Sequence, residues 1–183
     1  MGLPMNSEPS RSTLERYFSG ISEYVFFTHL GVADANLVDY ISRLLVEFTR
    51  TDSIYRVRRI DGSRATEVVA MAVEAEKRIG EARREVHRHI GDYTLFWTGV
   101  FPEAFRATEG NDKSDQFVAF CAHGKRSYKI ASRIESESAQ ASSDLLERLS
   151  QNFELCAYGL REIRREWEHR EDRGESGPPF LLM

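Results

Sequence analysis

The segment HIGDYTLFWTGVFP, residues 89–102, constrains the fold more than any other part of the chain. It ends a predicted helix whose surface changes from amphipathic to apolar on every side. At about 100° per residue, the apolar stripe of this helix contains Ile79, Ala82, Val86, Ile90, Tyr93, Trp97 and Val100. Leu95 and Phe96 add apolar surface on other faces. Such a helix has to be surrounded by other helices, so we expect residues 86–101 at the centre of an all-α domain.

Composition and charge fit one globular domain. The chain has 183 residues, of which 41% are hydrophobic and 30% charged, enough to bury a core. Its net charge of −4 gives no general attraction to nucleic acid or to an anionic membrane, so we expect neither as a partner. No apolar run approaches the roughly 20 residues of a bilayer span, and residues 1–10 lack the features of a signal peptide. We therefore expect a cytoplasmic protein.

Helix start and stop signals divide the chain into about six helices in a single bundle. Ser12 and Glu15 have the spacing of a capping box, and Gly31 is placed to end the first helix. Asp34 can cap the second helix. Further helices are predicted over residues 66–78, over 80–102, from Ser114 or Asp115 onward, and over 144–170.

The helical domain is expected to span residues 12–171. Residues 1–11 contain prolines and small polar residues, and residues 172–183 are charged and contain glycine and proline, so both are predicted to be flexible tails. The C-terminal tail ends in an apolar cluster, Phe180-Leu181-Leu182. This cluster either docks onto a partner or an apolar groove, or it is a frayed terminus without a role.

The last predicted helix carries a seven-residue apolar repeat. Its apolar residues are spaced alternately four and three apart, at Leu149, Phe153, Cys156, Leu160, Ile163 and Trp167. This spacing is typical of left-handed helix packing, either within the domain or against a second protein. Cys121 also lies on an apolar stripe, so both cysteines are predicted to be buried free thiols.

Residues 54–64 are compatible with two structures. The sequence IYRVRRI alternates between apolar and polar residues and precedes Asp61-Gly62, a pair that favours a hairpin turn. An isolated two-stranded hairpin is marginal in water, so we favour a short helical turn followed by a loop.

Three strings in the sequence resemble an uncharacterised family of small helical bacterial proteins. They are HIGDYTLFWTGVFPE from His89, GKRSYKIAS from Gly124, and LSQNFELCAYGLREIRREW from Leu149. The similarity covers roughly residues 14–168. The resemblance implies a bacterial cytoplasmic protein, but no activity or functional residue comes with it.

One strip of the central helix is a candidate ligand site. Two carboxylates and an imidazole on one helical face can bind a metal or move a proton if a facing helix supplies further groups. The alternative is that His89 is oriented by Asp92 or Glu85 at the edge of the core. The predicted ligand site consists of Glu85, His89, Asp92, Tyr93, Trp97 and Tyr128.

Two groups of basic residues are candidate contacts for an anion or a protein partner. The first consists of Arg56, Arg58 and Arg59, and the second of Lys125 and Arg126. Solvated surface charge is the alternative for both groups. The string Gly124-Lys125-Arg126-Ser127 is not a phosphate-binding loop, because Ala119 stands where that motif has its first glycine.

The sequence contains no recognisable catalytic triad, dinucleotide fingerprint or zinc motif, and no cofactor is predicted. We therefore expect a non-enzymatic interaction or regulatory protein that binds another protein or itself. The alternative is a helical bundle that holds a small ligand or metal near His89 and Asp92 and is an enzyme.

Overall fold

The computed structural model describes residues 12–105, 113–137 and 140–175. Their architecture is all-α, as predicted. The α-helices are α1 (Thr13–Glu23), α2 (Ala35–Phe48), α3 (Thr51–Ile54), α4 (Val68–Glu76), α5 (Gly80–Val100), α6 (Lys113–Ser132), α7 (Ser143–Gln151) and α8 (Phe153–Asp172). A π-helical turn, Tyr24–His29, extends α1, and a 3₁₀ turn, Pro102–Phe105, follows α5.

Helix α5 lies at the centre of the domain. Every residue from 86 to 96 is buried, which confirms that this helix is enclosed on all sides. Helices α4, α6 and α8 pack along it. The predicted stripe is wrong at its first two positions. Ile79 is 87% exposed and lies in extended backbone before the helix begins, and Ala82 is exposed in its first turn. Trp97 is only partly buried and packs on Phe96 and Phe101.

Small residues let the neighbouring helices approach α5 closely. A Cβ atom at Gly91 would lie 2.5 Å from the ring of Tyr128 on α6. One at Gly99 would lie 2.6 Å from Leu160 on α8. A Cβ atom at Gly124 of α6 would lie less than 3.0 Å from Thr94 of α5 and from the ring of Phe153. Glycine at these positions therefore sets the spacing between α5, α6 and α8.

The N-terminal helices begin as predicted. Ser12 and Glu15 form a complete capping box, and the Asp34 side chain accepts a hydrogen bond from the Leu37 backbone N–H. The first helix does not remain α-helical to Gly31, because it widens into the π turn after Glu23. The ring of Phe26 in that turn packs against Gly159 of α8.

Residues 54–64 combine both structures that the sequence allowed. The short helix α3 ends at Ile54, and a hairpin turn follows in place of the favoured loop. Arg58 and Arg64 form an antiparallel bridge, and the Ala65 N–H donates to the Val57 carbonyl at 2.9 Å. The hairpin does not stand alone, since Val57 and Ala65 are buried in the core. That burial removes the objection that an isolated hairpin is marginal.

The predicted last helix is two helices with a break at Asn152. The Asn152 side chain donates a hydrogen bond to the Arg148 carbonyl at 3.0 Å, and this local bond competes with continuation of the helix. The seven-residue repeat nevertheless faces one direction. All of its members, Leu149, Phe153, Cys156, Leu160, Ile163 and Trp167, are buried within the chain. Cys121 and Cys156 are free and buried, as predicted.

The predicted tails lie mainly outside the described residues. This applies to residues 1–11 and to 176–183, which include the Phe180-Leu181-Leu182 cluster. Helix α8 continues through Asp172, one residue into the region predicted to be a tail. Within the described ranges, no helix is long and apolar enough to cross a bilayer.

The contact between Gly91 and Tyr128 predicts a strong difference between two glycine substitutions. Gly91→Ala should lower the free energy of unfolding by about 1–3 kcal/mol, because the added methyl group has to displace the Tyr128 ring. Gly20→Ala on the exposed side of α1 is the matched control, since no atom lies within 4 Å of the added Cβ. It should be neutral or stabilise the helix. Urea denaturation of both variants measures the difference, and equal effects would show that the contact is not tight.

Candidate functional site

The carboxylate of Asp92 is the centre of a buried polar network. Its Oδ1 accepts a hydrogen bond from the Tyr40 hydroxyl at 2.6 Å and from the Tyr128 hydroxyl at 2.7 Å. Its Oδ2 accepts one from Arg88 Nη1 at 3.0 Å. Because Tyr40 lies on α2 and Tyr128 on α6, the single carboxylate joins three helices.

Arg88 connects this network to the surface. Its guanidinium lies between Asp92 and Glu85, and Nη2 donates to Glu85 Oε2 at 2.8 Å. Burial lowers the pKa of Arg88, but Asp92, Tyr40 and Glu85 outweigh burial and raise that pKa. The buried Asp92 charge is therefore matched by a permanent positive charge, and Glu85 shares that charge at the partly exposed end.

The two tyrosines act as fixed hydrogen-bond donors. Burial, followed by the adjacent Asp92 charge, raises the pKa of Tyr40 and of Tyr128 well above the ordinary value. Both hydroxyls therefore keep their protons and donate to Asp92. Neither can serve as a base near neutral pH.

His89 belongs to a different environment from Asp92. Its Nε2 lies 3.1 Å from the Ile54 carbonyl oxygen, and its ring stacks on Phe48. A carbonyl can only accept, so Nε2 carries the proton. Burial lowers the pKa of His89 to about 4. The alternative prediction, that Asp92 or Glu85 orients His89 at the edge of the core, is wrong about the partner, because the ring bonds to the Ile54 backbone carbonyl of α3.

Tyr93 and Trp97 lie in an aromatic cluster rather than in the polar network. Their rings are 6.2 Å apart between centroids, and Tyr93 also packs near Phe120. The Tyr93 hydroxyl donates to the Thr66 carbonyl at 3.5 Å. The structure therefore brings together three of the predicted ligand residues, Glu85, Asp92 and Tyr128, in one polar network. The other three, His89, Tyr93 and Trp97, lie outside this network.

Arg84 forms a second buried contact that sequence reasoning missed. Its Nε donates to the Ile134 carbonyl at 3.1 Å, and its Nη2 donates to the Ala141 carbonyl at 2.6 Å. These carbonyls lie on the two sides of the connection from α6 to α7. Arg84 of α5 thus donates hydrogen bonds to backbone carbonyls that lie outside the helices.

Arg88 and Tyr40 were also missed, for different reasons. Arg88 lies four residues before Asp92 and three after Glu85 on the same helix, so the pairing rule for helix surfaces could have identified it. Tyr40 is 52 residues away from Asp92 along the chain, and no local pattern reports that contact.

The geometry suits structural support better than ligand exchange. Both Asp92 oxygens already accept charged or hydroxyl donors, so a cation would have to displace Arg88 or a tyrosine. Among the residues that the structure describes, no group of three or more histidine, cysteine, aspartate or glutamate side chains is arranged to hold a metal ion.

The two predicted basic groups lie on different elements. Arg58 and Arg59 are exposed on the hairpin, while Arg56 at its base is paired with Glu47. Lys125 of α6 is paired with Glu154 of α8 at 2.8 Å, and Arg126 is its exposed neighbour. One residue of each group is therefore already paired with a glutamate.

No protein-family model, curated protein or solved structure matches this chain. The resemblance to a bacterial family stays a prediction.

Removing one donor from the Asp92 network tests its contribution to stability. Tyr128→Phe should lower the free energy of unfolding by about 1.5–3 kcal/mol, because a buried carboxylate loses a hydrogen bond. Tyr158→Phe on the exposed face of α8 is the control and should change it by less than about 0.5 kcal/mol. Equal effects of the two substitutions in urea denaturation would show that the network contributes little.

The lowered pKa of His89 predicts that the protein loses stability in mild acid. Above pH 6.5 the imidazole is neutral in both the folded and the unfolded chain, so it makes no pH-dependent contribution. Between pH 6.5 and about 4, only the unfolded chain binds the proton, so stability falls by up to about 3 kcal/mol. His89→Gln retains a donor for the Ile54 carbonyl and should reduce this slope. An unchanged slope, measured by urea denaturation across this range, would contradict the assignment.

Proposed function

We propose that this chain is a non-enzymatic interaction protein whose outer helical surface binds another protein. The observation that carries the proposal is an apolar ridge on the outward face of α4. It consists of Val69 and Val73, which are 63% and 51% exposed. They lie one helical turn apart, so their side chains form one continuous line.

Helix α4 is apolar on both its inner and its outer face. Val68, Met71 and Ala75 are buried against the core, whereas the valines of the apolar ridge face outward. The exceptions are Glu74, which is buried and paired with Lys77 at 2.8 Å, and the exposed Glu76. Single exposed apolar residues are common, but two exposed valines one turn apart favour a covered surface in the functional state.

The seven-residue repeat does not supply the binding surface. Its side chains pack inside the domain, so they are not available to a second protein. Asp92, the centre of the strongest candidate ligand site, is buried and paired inside the domain, so it is likewise not available at the surface. These two observations support a binding role for α4 over the other candidates.

Co-purification tests the proposed function. The tagged full chain, expressed in its native host, should retain one protein at fixed stoichiometry. Val69→Gln/Val73→Gln should abolish this association without changing the unfolding midpoint, because both side chains are exposed. Val118→Gln, at an exposed valine on α6, is the matched control and should retain the partner.

Two results would contradict the proposal. The first is the absence of any stoichiometric partner for the wild-type chain. The second is equal retention by the ridge variant and the control. One equivalent of iron, zinc or manganese in the purified protein would instead favour the ligand-binding alternative near His89 and Asp92.

A further inference from the structure

The hairpin that follows α3 is held firmly beside α4. Arg78, just after α4, donates from Nη2 to the Arg58 carbonyl at 2.7 Å. The Arg59 N–H donates to the Ser63 carbonyl at 2.8 Å, which closes the turn. The hairpin base is also anchored in the core through Val57 and Ala65, so its backbone is held beside the end of α4.

This hairpin is basic although the chain as a whole is acidic. Residues 56–64 contain four arginines and one aspartate, whereas the whole chain has a net charge of −4. Arg58, Arg59 and Arg64 are exposed. The carboxylate of Asp61 is turned back onto its own loop and accepts hydrogen bonds from the Ser63 backbone N–H and hydroxyl at 2.8 and 2.6 Å.

The positive charge adjoins one flank of the apolar ridge. At about 100° per residue, Lys77 and Glu76 lie on opposite sides of Val73 when α4 is viewed along its axis. Arg78, the residue after Lys77, donates to the Arg58 carbonyl at 2.7 Å, which places this flank beside the hairpin. Lys77 itself is paired with the Glu74 carboxylate at 2.8 Å. The opposite flank carries Glu76, which pairs with Arg83. The surface is therefore apolar along its middle and basic along one side.

From this arrangement, and resting on the proposed function, we infer that the α4 surface binds an amphipathic helix of another protein with acidic side chains along one flank. The valine ridge packs against the apolar face of that helix, in the manner of paired amphipathic helices. The hairpin arginines pair with its acidic flank, which fixes its orientation.

Charge also distinguishes an acidic helix from three other possible occupants of the α4 surface, which are nucleic acid, an anionic membrane and a second copy of this chain. Nucleic acid and an anionic membrane are negative throughout, so they would meet the exposed carboxylates of Glu67 and Glu76 on α4 as well as the arginines. A second copy paired through a two-fold axis would present the same basic surface to itself. A one-sided acidic helix avoids both conflicts.

Synthetic peptides provide the test. The probe is a fluorescent helical peptide of about 18 residues with leucines on one face and glutamates along one flank. The controls replace those glutamates with glutamine or with lysine. Fluorescence anisotropy with the full chain should show binding of the glutamate peptide and at least about tenfold weaker binding of both controls.

Protein variants locate the binding surface. Arg58→Glu/Arg59→Glu and Val69→Gln/Val73→Gln should each weaken binding of the glutamate peptide by at least about tenfold. Val118→Gln should leave it unchanged. The reversed-charge variant should in turn prefer the lysine peptide, a gain of binding that misfolding cannot produce. Circular dichroism confirms that each variant retains its helices.

The inference is overturned if the wild-type chain does not bind the glutamate peptide or binds all three peptides equally. A dimer that the ridge substitutions dissociate would assign the surface to a second copy. Arginine-dependent binding to phosphatidylserine vesicles or to duplex RNA, without peptide binding, would assign it to those partners. If a stoichiometric protein co-purifies while the peptide fails, only this inference fails. If neither binds, the proposed function fails as well.

Discussion

The buried charge of Asp92 is the constraint around which the domain is organised. A carboxylate removed from water is costly unless it is paired and hydrogen-bonded. Here two hydroxyls and a guanidinium satisfy it. Because Tyr40 lies on α2 and Tyr128 on α6, sliding either helix past α5 would remove a hydroxyl donor from the buried carboxylate. The network therefore specifies the register of the bundle, while the surrounding apolar core supplies the driving force for burial.

Close packing and the polar network depend on the same side chain. Tyr128 presses its ring against Gly91 and extends its hydroxyl to Asp92 on the same face of α5. The absence of a side chain at Gly91 allows this ring to approach, and the approach brings the hydroxyl within reach of the carboxylate. Packing and hydrogen bonding are consequently coupled, and substitutions at the two positions should not be additive.

Local signals predicted most of the fold. The capping box at Ser12, the cap at Asp34 and the apolar segment in α5 each depend on neighbours within a few residues, and the structure contains all three. Several of the errors arose where distant parts of the chain determine the structure. The hairpin is stable because the core covers Val57 and Ala65, and Tyr40 reaches Asp92 only in the folded bundle. Of the predicted ligand site, composition and spacing identified Asp92 and Tyr128 but could not show that they bind one another.

The two bonds of Arg84 have a consequence for how the domain holds together. They join the central helix to both ends of the α6–α7 connection, across 50 and 57 residues of sequence. The Arg84 guanidinium acts as a noncovalent cross-link, which forms only when α5 is in place. Loss of order in α5 releases the joint between α6 and α7, and with it the helix that precedes α8. The connection between α6 and α7 therefore depends on α5, and we expect the whole domain to unfold as one cooperative unit.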